Sequence, residues 1–305
     1  QMTLTLSLVL GTVFNPPVTE FAQLIVPYPA ENMLEAFEEG RFHMKKWEAY
    51  IDASASGIRE KCVNDMKECV SAGFSWEKEY LPVLNAFLRN GEKRREAIES
   101  FRAITWCLND KVLERFGRTV DVDVVLYLGL CNGAGWVTDV NGRRSILLGI
   151  EKIIELDWCG RDAMTGLIVH ELGHAYHLQY GAAKERLEEL PDPFLWRLFE
   201  EGIAMVFEQE VVGDSEYFHQ DADGWKAWCD ANAEKIKRSF YGDLPGMTRE
   251  NQRYFGDWVR FEGRGDTGYY LGARFVRFLL DSDVFDTVIR YKFDEVKRGF
   301  DRFMQ

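Results

Sequence analysis

Apolar residues recur every three or four positions through most of residues 30–117, in "ENMLEAFEEGRFHMKKWEAYI", "IREKCVNDMKECV", "EYLPVLNAFLRN" and "KRREAIESFRAITWCLNDKVLERFG". That interval gathers side chains on one face of a 3.6-residue helix, so the pattern predicts a helical N-terminal region broken at Gly57, Gly73 and Gly91. At Thr119 the texture changes to "TVDVDVVLYLGL", "GWVTDV" and "RRSILLGI". Asn141-Gly142 stands between the last two runs, and Asn-Gly between β-rich runs is a strong hairpin signal, which predicts a small antiparallel sheet over about residues 119–150. Helical spacing then returns over about 161–180, 194–212, 224–240 and 267–280, with a short charged segment finishing at Gln305. Two regions follow from this: a mainly helical one at 1–118 and a second at 119–305 that holds the sheet and the later helices. Near the start, Leu4, Leu6, Leu8 and Leu10 alternate as in a half-buried strand. The run has no basic residues before it and no A-x-A site after it, so we read a strand rather than an export signal.

Composition narrows the function classes. The chain has 305 residues, 46% of them hydrophobic, which is enough for a sizeable core. Its 50 acidic residues against 37 basic ones give a net charge of −13 and no basic footprint for nucleic acid or an anionic membrane. No run approaches the ~20 apolar residues of a membrane span. The six cysteines are scattered without a CxxC pair, which points to free thiols in a reducing compartment, the cytoplasm.

The chemistry concentrates in "LIVHELGHAYH", residues 167–177, which carries three of the five histidines. His170 and His174 are one helical turn apart and can reach one Zn²⁺, while Glu171, about 100° around the helix, can serve as general base toward an activated water. Composition alone predicts on the order of 0.01 accidental matches to this HExxH form. Gly166 and Gly173 lie inside the same helix, where each costs about 1 kcal/mol relative to Ala, so they predict close approach by another backbone or a ligand. His177 lies about 10.5 Å along the axis from His170, too far to share a metal with ~2 Å bonds, and is read as a packing or supporting residue. A zinc site needs a third protein ligand. The next helix, "FLWRLFEEGIAMVFEQEVV", is apolar on nearly every side yet holds Glu200 and Glu201, and buried carboxylates need cationic partners. The helical wheel does not choose between the two, and a salt bridge to Arg197 is the bland alternative.

HExxH followed by "EEGIA" resembles the gluzincin zinc metallopeptidases, and the order hairpin, HExxH, EGxA, "GYYLGA" resembles a bacterial family of predicted zinc-dependent proteases of unknown substrate. The likeness covers about residues 120–280. It implies an α+β fold: a zincin-like metallopeptidase domain with a small antiparallel sheet and an HExxH active-site helix, flanked by helical N- and C-terminal regions. It also implies Zn²⁺ held by His170, His174 and Glu201, the glutamate directly before the glycine, with Glu171 as base. In "GYYLGA" it implies Tyr269 as the phenol that stabilises the oxyanion, with Tyr270 as the fallback. The Gly-x-Met-Glu-Asn segment that anchors a free amino terminus in aminopeptidase N-like members is missing, and Glu151 is the candidate substitute. His219 is expected at the surface. The activity expected is peptide-bond hydrolysis of a peptide or protein substrate. Two other readings stand beside it: a binding or regulatory protein that keeps the scaffold without turnover, and a non-peptide amidase, for which Cys131 is the only hint.

Overall fold

A computed structural model describes residues 24–183 and 189–305. The strand expected around Leu4–Leu10 lies outside the described residues. Among the described residues the architecture is mixed, with a four-stranded main sheet and a two-stranded hairpin among many helices. The strands of the main sheet are β1 (Ile25–Pro29), β4 (Val122–Tyr127), β5 (Gly135–Val140) and β6 (Arg143–Gly149), in the order β1-β4-β6-β5.

The expected hairpin is present. Asn141 and Gly142 both take positive φ, 51° and 76°, and Val140 pairs with Arg143 across that turn. The sheet itself is not antiparallel as expected: β1 pairs in parallel with β4 and β4 in parallel with β6, so only β5 runs the other way. The reason lies in the connection at residues 128–134, which carries the chain past β4's neighbour position to the far edge. β5 therefore forms the edge, and β6 returns to fill the gap. Alternation in a sequence predicts strands but not this order. β4 and β6 are buried along most of their length, as strands in a parallel pair should be.

Among the described residues the N-terminal region is mainly helical, apart from β1, which joins the main sheet, and one short hairpin. α1 (Met44–Ser54), α2 (Arg59–Ser71), one π-helical turn (Trp76–Tyr80), α3 (Leu81–Arg89), α4 (Gly91–Trp106) and α5 (Leu108–Phe116) follow the predicted spacing. Residues expected to begin the first helix instead form a two-residue hairpin of β2 (Phe37–Glu38) and β3 (Arg41–Phe42). Glu39 and Gly40 make its turn at φ 49° and 74°, and the rings of Phe37 and Phe42 meet edge to face at 5.7 Å. α1 fastens onto the end of the main sheet: Trp47 Nε1 donates to the Leu128 carbonyl at 2.8 Å, and the Leu128 N–H donates to the Tyr50 hydroxyl at 3.0 Å.

After the sheet come α6 (Ile150–Glu155), α7 (Arg161–Tyr180), α8 (Pro193–Val212), α9 (Trp225–Ala231), α10 (Ala233–Asp243), α11 (Thr267–Leu279), α12 (Phe285–Val288) and α13 (Phe293–Phe303). α8 starts where Asp192 accepts a hydrogen bond from the Leu195 N–H at 3.1 Å with Pro193 in the first turn, and it stops at Gly213, φ 83°. α7 lies between the sheet, through β5 and β6, and α8, which in turn packs on α11. This crossing explains Gly173, Gly202 and Gly272, whereas at Gly166 a Cβ would meet His219 and Tyr217 of the loop after α8. A Cβ on Gly173 would meet Ala204 Cα at 2.8 Å, and one on Gly202 would meet the Gly272 carbonyl oxygen at 2.2 Å, so α7, α8 and α11 approach at backbone distance. That close packing sets α7 and α8 side by side and brings their polar residues together.

Candidate metal centre

His170, Glu171 and His174 come from the middle of α7, Glu201 from the third turn of α8 and Tyr269 from the first turn of α11. His170 Nε2 lies 3.1 Å and His174 Nε2 3.0 Å from the same Glu201 oxygen, Oε2. The three donor atoms lie within 4.8 Å of one another and could hold a metal ion. Tetrahedral zinc with ~2 Å bonds has ligand atoms about 3.3 Å apart, and both histidine-to-glutamate distances are within a few tenths of an ångström of that spacing. Two imidazoles and a carboxylate are also a donor set that catalytic zinc takes. The residues present therefore fit a divalent metal.

Electrostatics express the same need for a cation. Burial would lower the basicity of His170, but its contacts to Glu201 and Glu208 outweigh that and raise it to about 10. His174 is likewise raised against burial by Glu201. Burial would raise Glu201, yet His174 and His170 hold its carboxyl well below the usual range. Two carboxylates and two imidazoles in this much burial need positive charge among them. Arg197 contributes little: its Nε is 3.9 Å from Glu201 Oε1, and its guanidinium lies 4.9 Å from the Phe255 ring centre. Glu200 lines the neighbouring cavity, but it is Glu201 that meets both histidines.

Glu171 is buried, and burial raises its carboxyl above the ordinary value, partly offset by His174 and His170. It abuts the start of β5 so closely that a Cβ on Gly135 would come within 2.8 Å of its Cγ. A glycine at that position lets the edge strand pass directly beside the base. A cavity of about 650 Å³ opens here, lined by His170, Glu171, His174, Glu201, Tyr269 and the β5 backbone from Gly135 to Asp139. The ring of Tyr269 stands 5.7 Å from that of His170. Burial, with the Glu201 charge next, keeps its phenol protonated well above the usual range. Tyr270 points elsewhere, its hydroxyl donating to Asp230 at 2.7 Å, so of the two tyrosines only Tyr269 belongs to the site.

Behind His170 lies a feature the sequence did not show. Glu208, two turns beyond Glu201, is fully buried, and its Oε2 is 3.3 Å from His170 Nδ1, off the line of a good hydrogen bond. The same carboxylate accepts from the His219 backbone N–H at 3.2 Å and contacts His219 Nδ1 at 2.8 Å. His170, Glu208 and His219 are also close enough to hold an ion. The Nε2 side is the better metal position, because it opens on the cavity while the Glu208 oxygens are already occupied by N–H donors. Glu208 instead places its charge beside His170 Nδ1, the position that carboxylates commonly take toward metal-ligating imidazoles. His219, expected at the surface, is buried against His170 and Trp158, with ring centres 5.5 and 4.9 Å away. Its position follows from the loop after α8, whose return across α7 no local pattern signals. The Glu208 signal was available: a third carboxylate in the same apolar helix.

His177 is a packing residue, buried beside Trp196 and Phe199, with neither ring nitrogen hydrogen-bonded among the described residues and its pKa pushed down to about 3 by burial. Glu151 is not an amine anchor. Its carboxylate is sealed away from both cavities beside the site and accepts from the Gly129 N–H at 2.9 Å and the Cys131 N–H at 3.1 Å, holding the loop that leads to β5. All six cysteines are free, three of them buried. Among the described residues no helix is long and apolar enough to cross a membrane. In comparisons with known proteins, no family model matches the chain, and no curated protein or solved structure gives a significant match.

Proposed function

We propose that the protein is a zinc-dependent hydrolase of peptide bonds, with the metal held by His170, His174 and Glu201. The observation that carries this reading is the convergence of both imidazole Nε2 atoms on one Glu201 oxygen, at the floor of a cavity edged by an open strand. Bound there, zinc would act as a Lewis acid, polarising the scissile carbonyl and lowering the pKa of water.

The chain's own residues supply the remaining roles. Among the described residues β5 is an edge strand, its residues Gly135 to Asp139 line the cavity, and an extended peptide can add to it as a further strand. Such pairing lays the scissile bond past Gly135, next to Glu171. The Glu171 carboxylate takes the proton of the attacking water and delivers it to the leaving amine. Burial raises its pKa, which makes it a stronger base than an exposed glutamate. Tyr269 keeps its proton and can donate a hydrogen bond to the charge that develops on the carbonyl oxygen. Glu208 places its charge behind the His170 ring.

The test is Glu171→Gln, a near-isosteric change, with zinc content and cleavage of a mixed peptide library measured side by side. We expect zinc near one per chain and hydrolysis reduced on the order of 10²–10⁴-fold. Full turnover in the variant, or no cleavage of any peptide by the zinc-loaded wild type, contradicts the reading.

A further inference from the structure

Next to the metal cluster lies a second, smaller recess of about 290 Å³, which shares Gly135, His170, Glu171, Arg197 and Tyr269 with the larger cavity as a common wall. Its fixed charges do not cancel. Lys152 is paired with Asp257 at 3.0 Å and with Glu155, and Arg197 is engaged by Phe255 and Glu201. Asp266 is left over. It stands at the start of α11, but its side chain does not cap the helix. Among the described residues its carboxylate has no hydrogen-bond or ion-pair partner, and burial pushes it up to about 6, partly offset by the more distant His219 and Arg260.

Gln220 adds an independent sign. It is only 9% exposed, and its Nε2 donates to Met205 Sδ at 3.5 Å. A thioether can only accept, so this contact fixes which way the amide points. Gln220 lines the recess, and its Oε1 is buried with no hydrogen-bond donor among the described residues. A buried carbonyl oxygen of this kind favours a nearby N–H group. Trp158 and Trp258 line the same recess, and Trp258, 56% exposed, brings an indole to its rim. Indole faces attract cations.

We propose that this recess is a subsite for a cationic group of the substrate, an ammonium or guanidinium, received by the Asp266 carboxylate; Gln220 and the indoles of Trp158 and Trp258 also line the recess. The word substrate rests on the hydrolase reading; the recognition of a cation does not. A lysine or arginine side chain and a free amino terminus both carry this chemistry.

The experiment uses matched octapeptides that place arginine, lysine, citrulline or norleucine at each position in turn, with the amino terminus free or acetylated. Their binding to the zinc-loaded Glu171→Gln chain is measured by calorimetry and their cleavage by the wild type by mass spectrometry. We expect arginine or lysine peptides to bind at least about tenfold more tightly than citrulline or norleucine ones. Asp266→Asn, which changes charge and not shape, should bring that ratio within about twofold while far-UV circular dichroism and zinc content stay unchanged. If acetylation instead weakens basic and neutral peptides alike, the cation received is the amino terminus. Equal binding of all these peptides, basic or neutral and free or acetylated, or a preference that survives Asp266→Asn, overturns the subsite. Cleavage without any preference for a cation would refute the recess and leave the hydrolase standing. Asp266-dependent binding without cleavage would refute the hydrolase and leave the recess standing.

Discussion

The crossing of α7 and α8 and the loop before β5 both bury glutamates, and they hold them in opposite states. Glu201 meets two imidazoles and is kept ionised well below the ordinary carboxylate range. Glu151 meets only backbone N–H groups, at Gly129 and Cys131, and burial lifts it to about 7 in spite of them. Glu151 is the more deeply buried, at 1% exposure against 13% for the Glu201 side chain, and the partners differ as well. A carboxylate opposite basic side chains at a cavity wall is arranged to hold a cation, whereas one opposite neutral amides in a sealed loop fastens backbone. Changes on the cavity side should therefore alter chemistry with little effect on stability, and changes on the sealed side should do the reverse.

The largest separation is expected at Tyr269. Tyr269→Phe should lower kcat by about 10²–10³-fold with little change in zinc content or Tm, as for loss of an oxyanion donor; steady-state kinetics on any cleaved peptide checks this, and an unchanged kcat removes Tyr269 from the chemistry. On the sealed side, Glu151 should make stability depend on pH. A carboxyl whose folded value lies above its unfolded value binds its proton more tightly when folded. Its contribution is complete below about 4.5 and is lost as pH rises through about 7, a span worth roughly 3 kcal/mol. Urea unfolding between pH 4.5 and 7.5 should show that decline in the wild type and a flatter profile in Glu151→Gln. Parallel profiles would contradict the sealed-loop account.

Glu208 belongs to neither extreme, since it is sealed yet touches a ligand. Glu208→Gln should weaken zinc affinity by about 10–100-fold, measured by competition with a chelator, because the His170 ring loses the charge beside its Nδ1. The smallest effect is expected at Tyr270, where Phe should remove the hydrogen bond to Asp230 and about 1 kcal/mol of stability, with kcat retained. A catalytic loss at Tyr270 would reverse the assignment of the two tyrosines.

Legibility in the sequence followed the same division. His170, Glu171 and His174 were readable because HExxH spacing is a property of one helix, and helix geometry is local. Glu201 and Glu200 were equivalent on the helical wheel. Only the side on which α7 packs separates them, and that contact is made through Gly173 and Ala204. The hairpin at Asn141-Gly142 was legible for the local reason that both residues tolerate positive φ. The parallel pairing of β1, β4 and β6 was not, because strand order depends on where the loop at residues 128–134 carries the chain. His219 was misjudged for a similar reason: its burial comes from Glu208 on another element, 11 positions away. The β2–β3 hairpin was hidden in a run whose apolar spacing also suits a helix.

The central claim is that Glu201 completes a three-residue metal centre with His170 and His174. Equilibrium dialysis against zinc of the wild type, Glu200→Ala and Glu201→Ala tests it most directly, with circular dichroism as the check on folding. The account predicts about one zinc per chain in the wild type and in Glu200→Ala and none retained in a folded Glu201→Ala. Stoichiometric, equally tight zinc in Glu201→Ala, or its loss in Glu200→Ala alone, would contradict it.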